Sequence, residues 1–205
     1  MTRRGYLLFS VLVLSHLLVT VAGAKAEDRN ITIRITTELG EIEAVLDSAR
    51  APVTVANFLR YLDKGQYNGG VFHRTVTMDN QPNNTAKIEV IQGAINPAFA
   101  DTTYPPQSGY PPIPLERTTV TGLKHTDGAL SMARLGPDTA TSGFFICIGD
   151  QPELDFGGKR NPDGQGFAAF GQVIQGMDVV RKIQMAPRQE QRLTPPITIT
   201  NLERK

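Results

Sequence analysis

The chain predicts a mainly β domain in which many short strands close on themselves, with one helix early and one late. Three observations lead there. From Asn30 onward, short runs of alternating apolar and polar residues recur. The 19 Gly and 14 Pro residues supply turns, which suits strands better than a helical bundle. Only two stretches space their apolar residues as a helix does. A closed barrel would remove the exposed edges that so many strands otherwise leave. No repeat is visible, and residues 27–205 read as one domain, long enough to bury a sizeable core.

Residues 1–26 stand apart. Arg3 and Arg4 form a positive start, and Leu7 to Val21 is an almost unbroken apolar run. Ala22-Gly23-Ala24 and Ala24-Lys25-Ala26 both offer small-x-small cleavage sites. This is the pattern of a secretory signal peptide. The alternative is an uncleaved membrane anchor, because the run approaches the ~18 residues that would span a bilayer. Either way the domain is expected outside the cytoplasm, periplasmic or secreted, with no membrane contact once the signal is cleaved. Cleavage after Ala26 would take the formal charge from +1 to −2, since it removes Arg3, Arg4 and Lys25. Neither value suits a nucleic-acid partner, which calls for a basic footprint. A monomer is expected.

Each element follows from local pattern. Ile31, Ile33 and Ile35 alternate with Thr32, Arg34 and Thr36, as in a half-buried strand. Leu39-Gly40 turns the chain, and Ile42, Ala44 and Leu46 alternate again, so the two runs form a hairpin. Pro52 sits in the first turn of a helix, where its missing N–H costs nothing. Val55, Phe58, Leu59 and Leu62 give that helix one apolar face, and Gly65 ends it. Val71 to Val76 is a strand carrying Arg74. His73 is its neighbour, so strand alternation points the two side chains to opposite faces. Residues 77–87 are polar, with the loop sequence Asp79-Asn80-Gln81-Pro82-Asn83-Asn84. Ile88 to Gln92 is a strand. Residues 96–114 are proline-rich, including Tyr104-Pro105-Pro106 and Tyr110-Pro111-Pro112, and read as an extended surface connection rather than a ligand for a proline-recognition domain. Strands recur at Ala129 to Arg134, Phe144 to Ile148 and Phe167 to Val173. Gly176-Met177-Asp178 opens the second helix, with Val179, Val180 and Ile183 on one side. Ile197 to Leu202 is the last strand.

Several chemistries find no support. Gly157-Gly158-Lys159 lacks the Gly and the Ser or Thr that a phosphate loop needs, because Glu153 and Arg160 stand there. A calcium loop ending in Asp163-Gly164 would put Lys159 and Phe170 where carboxylates belong. Residues 155–166 therefore read as an irregular Gly-rich surface loop. There is no Gly-x-Ser-x-Gly, His-Glu-x-x-His or Cys-x-x-Cys. His73 and His125 have no second ligand at metal spacing, so no metal or cofactor is expected. The one cysteine, Cys147, cannot form an internal disulfide and sits in an apolar run, as a small core residue would.

Taken in order, a set of segments resembles the cyclophilins. Ala51-Pro52-Val53-Thr54-Val55-Ala56-Asn57-Phe58 is similar to that family's first helix. Tyr67-Asn68-Gly69-Gly70-Val71-Phe72-His73-Arg74 is similar to its arginine strand, and Ile91-Gln92-Gly93 to the next. Lys124-His125-Thr126, Leu130 to Ala133, Gly136-Pro137 and Phe144 to Cys147 match its central section, and Phe170-Gly171 with Gly176-Met177 its last helix entry. The resemblance covers Ile31 to Leu202. It implies an eight-stranded antiparallel barrel capped by two α-helices. It also implies peptidyl-prolyl cis/trans isomerisation, with unfolded or proline-containing polypeptides as partners and no covalent step. It makes Arg74 catalytic, Gln92 its support and Phe145 the floor of a proline pocket. Val90, Leu154 and Phe167 become pocket residues, and Ala133 and Arg134 the segment whose backbone pairs with peptide.

The chain also departs from the family. Glu89, Gly143, Glu153 and Phe167 replace the Phe, Gln, Trp and His common there. Arg74 and Gln92 lie 18 positions apart, more than the family usually has, so residues 77–87 are an insertion beside the site. The resemblance therefore implies a weaker or more selective isomerase. The competing expectation is a barrel that binds proline-containing segments with little or no catalysis. Asn30-Ile31-Thr32 and Asn83-Asn84-Thr85 are glycosylation sequons, relevant only in a eukaryotic secretory route.

Overall fold

The computed structural model describes Met1, residues 30–99 and residues 109–205. Residues 2–29, which hold the expected signal sequence, and Tyr104-Pro105-Pro106 lie outside the described residues. Strand β1 (Asn30–Thr37) pairs antiparallel with β2 (Gly40–Asp47), so that Ile33 faces Ala44 and Ile35 faces Ile42. Then come α1 (Pro52–Asp63), β3 (Gly70–Val76), β4 (Val90–Ala94), α2 (Thr118–Thr121), β5 (Ala129–Met132) and β6 (Phe144–Cys147). Strand β7 (Ala168–Gln175), α3 (Met177–Gln184), the two-residue β8 (Arg188–Gln189) and β9 (Arg192–Arg204) complete the chain. The sheet runs β1-β2-β7-β5-β6-β4-β3-β9 and closes where β9 pairs with β1. Eight antiparallel strands thus form a barrel, and β8 only folds back on β9.

The two expected helices cap the barrel. On α1, Phe58 stacks on Tyr67 at 4.9 Å and meets Phe144 edge-on at 5.5 Å, filling the interior. Val180 and Ile183 of α3 are fully buried in the same core. A Cβ at Gly93 would come within 2.8 Å of the Phe144 ring, so glycine there lets the Phe72 and Phe144 rings meet at 5.8 Å. The single turn α2 is an addition to the predicted pattern. The proline-rich connection is held at Tyr110, which meets Tyr61 edge-on at 5.1 Å and lies 4.2 Å under the Arg60 guanidinium. The last strand is longer than the alternating run predicted. Its register with β3 passes from Ile197 to Arg192, skipping a stretch with Pro195 and Pro196, which have no N–H to donate. No helix among the described residues is long and apolar enough to cross a membrane.

One expectation needs correction. His73 and Arg74 do not point to opposite faces. Phe72 pairs with Gly93 and Arg74 with Gln92, so His73 is an extra residue in β3. Phe72 is fully buried in the barrel. Plain alternation would have sent Arg74 inward too. The bulge restores it to the outer face, alongside His73.

Helix α1 has no capping side chain at Ala51, and Pro52 occupies its first turn. Its free N–H groups are met from afar: Glu116 accepts from Val53 N at 3.1 Å and Thr54 N at 2.7 Å. A carboxylate there also suits the positive end of the helix. Glu116→Ala should cost about 1 kcal/mol of stability in urea unfolding, with Glu116→Gln in between.

Candidate active site

The barrel register places the site residues in one row. Arg74 of β3 pairs with Gln92 of β4, Gln92 with Phe145 of β6, and Phe145 with Ser131 of β5. Side chains at paired positions share a face, so these four stand side by side outside the barrel. Phe144, one residue earlier, points inward to the main core.

Arg74 is held by two carboxamides. Its Nη1 donates to Gln92 Oε1 at 3.0 Å, while Nε and Nη2 donate to Gln191 Oε1 at 2.9 and 2.6 Å. A guanidinium has five N–H groups, so one remains on each terminal nitrogen. Burial lowers the Arg74 pKa, but a guanidinium stays charged in water. Gln191 is in turn fixed by donating Nε2 to Asn80 O at 2.9 Å, and its carbonyl accepts from Thr75 N.

Beside the arginine lies an apolar floor. Phe145, Val90, Ile88, Ala129, Cys147, Leu154 and Val76 form a cluster separate from the barrel core. Phe167 stands perpendicular to Phe145 at 5.3 Å, and His125 stacks beneath it at 6.0 Å. His125 is fully buried, its Nδ1 2.8 Å from Asp155 Oδ1 and its Nε2 2.9 Å from Ser131 Oγ. Burial raises the Cys147 thiol pKa far above its usual range, so it is no nucleophile at neutral pH.

Seven of the eight predicted residues line one cavity of about 370 Å3: Arg74, Val90, Gln92, Ala133, Arg134, Phe145 and Phe167. Leu154 does not line it. It is buried in the layer below and supports the floor. The Arg134 side chain braces the 155–166 loop. It pairs with both Asp163 oxygens at 2.7 and 2.9 Å, donates to Gly166 O at 2.7 Å, and lies 4.9 Å over Phe167. A second cavity of about 450 Å3 shares Gln92, Ala133 and Arg134 and reaches His73 and Gly143. Burial, and then the Arg74 charge, lowers the His73 pKa. A Cβ on Gly143 would meet nothing closer than 3.4 Å, so glycine there simply widens the groove.

The rim is built by the two long loops. Gln81 is buried; its Nε2 donates to Thr77 O at 2.9 Å and Ile88 O at 2.6 Å. Arg160, from the opposite loop, donates Nη1 to Gln81 Oε1 at 2.7 Å and Ala86 O at 3.0 Å. Glu89 accepts from Gln184 at 3.0 Å, and Glu153 from Lys159 N at 2.7 Å, so both carboxylates are used within the frame. Sequence reasoning missed Gln191, Arg160, Asn84 and Asn161. Gln191 lies 117 residues from Arg74 in a segment with no motif, and the others sit in loops read only as irregular. The site offers a clamped cation with two free N–H groups beside an aromatic floor. It can hold a flat apolar ring and present donors to polar atoms next to it.

Comparison with known proteins places the fold and the sequence together. Residues 32–204 match the family model described as cyclophilin type peptidyl-prolyl cis-trans isomerase/CLD. The chain is 36% identical to peptidyl-prolyl cis-trans isomerase A of Dickeya dadantii over 74% of this chain and 70% of that protein. It is 38% identical to peptidyl-prolyl cis-trans isomerase of Acinetobacter baylyi over 77% and 74% respectively. A crystal structure of a Cryptosporidium parvum cyclophilin type peptidyl-prolyl cis-trans isomerase matches with a TM-score of 0.66 at 22% identity, covering 86% of this chain and 98% of that one. A second structure of that protein, with the same score, was determined in the presence of the dipeptide Ala-Pro.

The Asp155 carboxylate beneath the floor sets an acid limit on the site. Burial raises its pKa, but hydrogen bonds and charge from His125 and the Lys124 charge outweigh this and hold it below the usual value. Its contribution to stability is therefore full above the unfolded carboxylate pKa of about 3.9 and is lost as pH falls through the lower folded value. Asp155→Asn should destabilise the protein near neutrality and flatten the acid limb of the stability–pH curve, read by thermal unfolding.

Proposed function

The chain belongs to the cyclophilin-type peptidyl-prolyl cis-trans isomerase family, and on that premise we propose that it accelerates X–Pro rotation in exported polypeptides through Arg74. The isomerase activity comes with the family. The residue roles and the export setting are the proposal. The observation that carries it is Arg74, clamped by Gln92 and Gln191 with one N–H left on each terminal nitrogen, lining the same cavity as Phe145.

Rotation about an X–Pro bond breaks amide resonance, at a cost of roughly 18–20 kcal/mol, and takes tens to hundreds of seconds uncatalysed. In the twisted state conjugation is lost and the proline nitrogen carries a lone pair. Arg74 donates to that nitrogen, or to the adjacent carbonyl, more strongly in the twisted state than in the planar one. Phe145, Phe167 and Val90 hold the ring and keep water out. The Ala133-Arg134 backbone aligns the peptide. Gln191 acts through Arg74 as a positioning residue. No bond is made or broken. The Ala-Pro dipeptide used with the Cryptosporidium relative supports a proline-containing segment as ligand.

Arg74→Ala should reduce kcat/KM for a short proline peptide by roughly 10²–10³-fold, the loss typical of removing a donor to a developing charge. Gln191→Ala should lower kcat with little change in KM, because the arginine loses two of its three anchors and the floor is untouched. Equal rates for wild type and Arg74→Ala would remove Arg74 from its role. Export rests on Arg3, Arg4, the apolar run and the small residues up to Ala26. N-terminal sequencing of the protein from its native host should find the mature chain starting at Glu27. An intact Met1 start in the cytoplasm would end the export reading.

A further inference from the structure

The proline cavity is lined by three arginines and no carboxylate. Arg134 is neutralised by Asp163 at 2.7 Å. Arg74 and Arg160 have no ion pair among the described residues, and each adds positive charge to the same confined space. The Arg160 pKa is lowered by burial and by the Arg74 charge, the mark of two like charges sharing a site. A purely structural brace would need only the Nη1 atom that ties Gln81 and Ala86. Its Nε and Nη2 donate to nothing among the described residues. Asn161, next in sequence, also lines the cavity, and its buried Nδ2 has no hydrogen-bond partner among the described residues. Surplus donors and uncompensated positive charge thus converge beside the place of the proline ring.

We infer that Arg160, with Asn161, forms a carboxylate-binding subsite, so that the site selects X–Pro bonds flanked directly by Asp or Glu. The inference rests on the reading of this cavity as the proline site. Arg160 lines this cavity and not the second one, so the acidic residue it meets is placed next to the proline rather than along the adjoining groove. A carboxylate there would accept charge-assisted hydrogen bonds and relieve the repulsion between the two guanidiniums.

The test uses C-terminally amidated peptides with one proline, carrying Glu, Gln or Lys immediately before or after it. The only carboxylate is then the side chain under study. Wild type should turn over the Glu peptide roughly tenfold faster than the Lys peptide in kcat/KM at one flanking position at least. The ratio should shrink as salt is raised, because charge attraction is screened. In Arg160→Gln the Glu-to-Lys ratio should fall severalfold whatever the variant's absolute rate, and in Arg160→Glu it should reverse. A brace with no role in selection would slow all peptides alike. Equal Glu and Lys rates in wild type at both positions, or an unchanged ratio in Arg160→Gln, would overturn the inference. Should the Arg160 variants not fold, the wild-type ratio and its salt dependence decide. Should wild type accelerate no peptide, the isomerase reading fails, and calorimetric titration of the same Glu and Lys peptides tests the subsite by itself: tighter Glu binding upholds it, equal binding ends it.

Discussion

The backbone pairing of Arg74 with Gln92, and of Gln92 with Phe145, is the constraint on which the rest of the site depends. A strand offers side chains to alternate faces, so a slip of one residue moves a whole set from one side of the wall to the other. Here the slip is built in at His73. It leaves Phe72 in the core and turns Arg74 outward, so one strand serves both the barrel and the site. The aromatic pair on β6 does the same: Phe144 fills the interior and Phe145 forms the outer floor.

Around this row the chain has added bulk at the rim. Residues 77–87 and 155–166 come from distant parts of the sequence and meet where Arg160 bonds to Gln81. Arg134 anchors the second loop from beneath. Glu89 and Glu153 are engaged in local hydrogen bonds, so the floor keeps its apolar character. The two loops thus shape the rim of the cavity, while Arg74, Gln92 and Phe145 stay in one row on the barrel wall.

Much of this was legible in the sequence, for identifiable reasons. Alternation gave β1 and β2, and Pro52 with the Val55, Phe58 and Leu62 spacing gave α1. Arg74, Gln92 and Phe145 could be assigned through the resemblance because they sit within recognisable strands. The orientation of His73 was not legible, since a bulge is a property of pairing between two strands and leaves no mark in one. Gln191 was not legible either, because its partner lies 117 positions away. Leu154 shows a subtler limit: an apolar residue in the right stretch can support a floor without lining the cavity above it. The Glu116 cap on α1 lies across 62 residues of chain, and no local capping pattern announces it.

The clamp on Arg74 has a consequence for where such an enzyme can work. Both of its anchors are carboxamides, which neither titrate nor neutralise a cation. A carboxylate in the same place would hold the guanidinium as firmly but would cancel its field, and would let go in acid. With amides, the guanidinium keeps its full positive charge, and the clamp is indifferent to proton concentration over the range in which the barrel stays folded. His73 alongside is biased toward its neutral form and adds no competing charge. The guanidinium is thus held by anchors that need no particular protonation state, and the acid limit of the site is set one layer down, at Asp155.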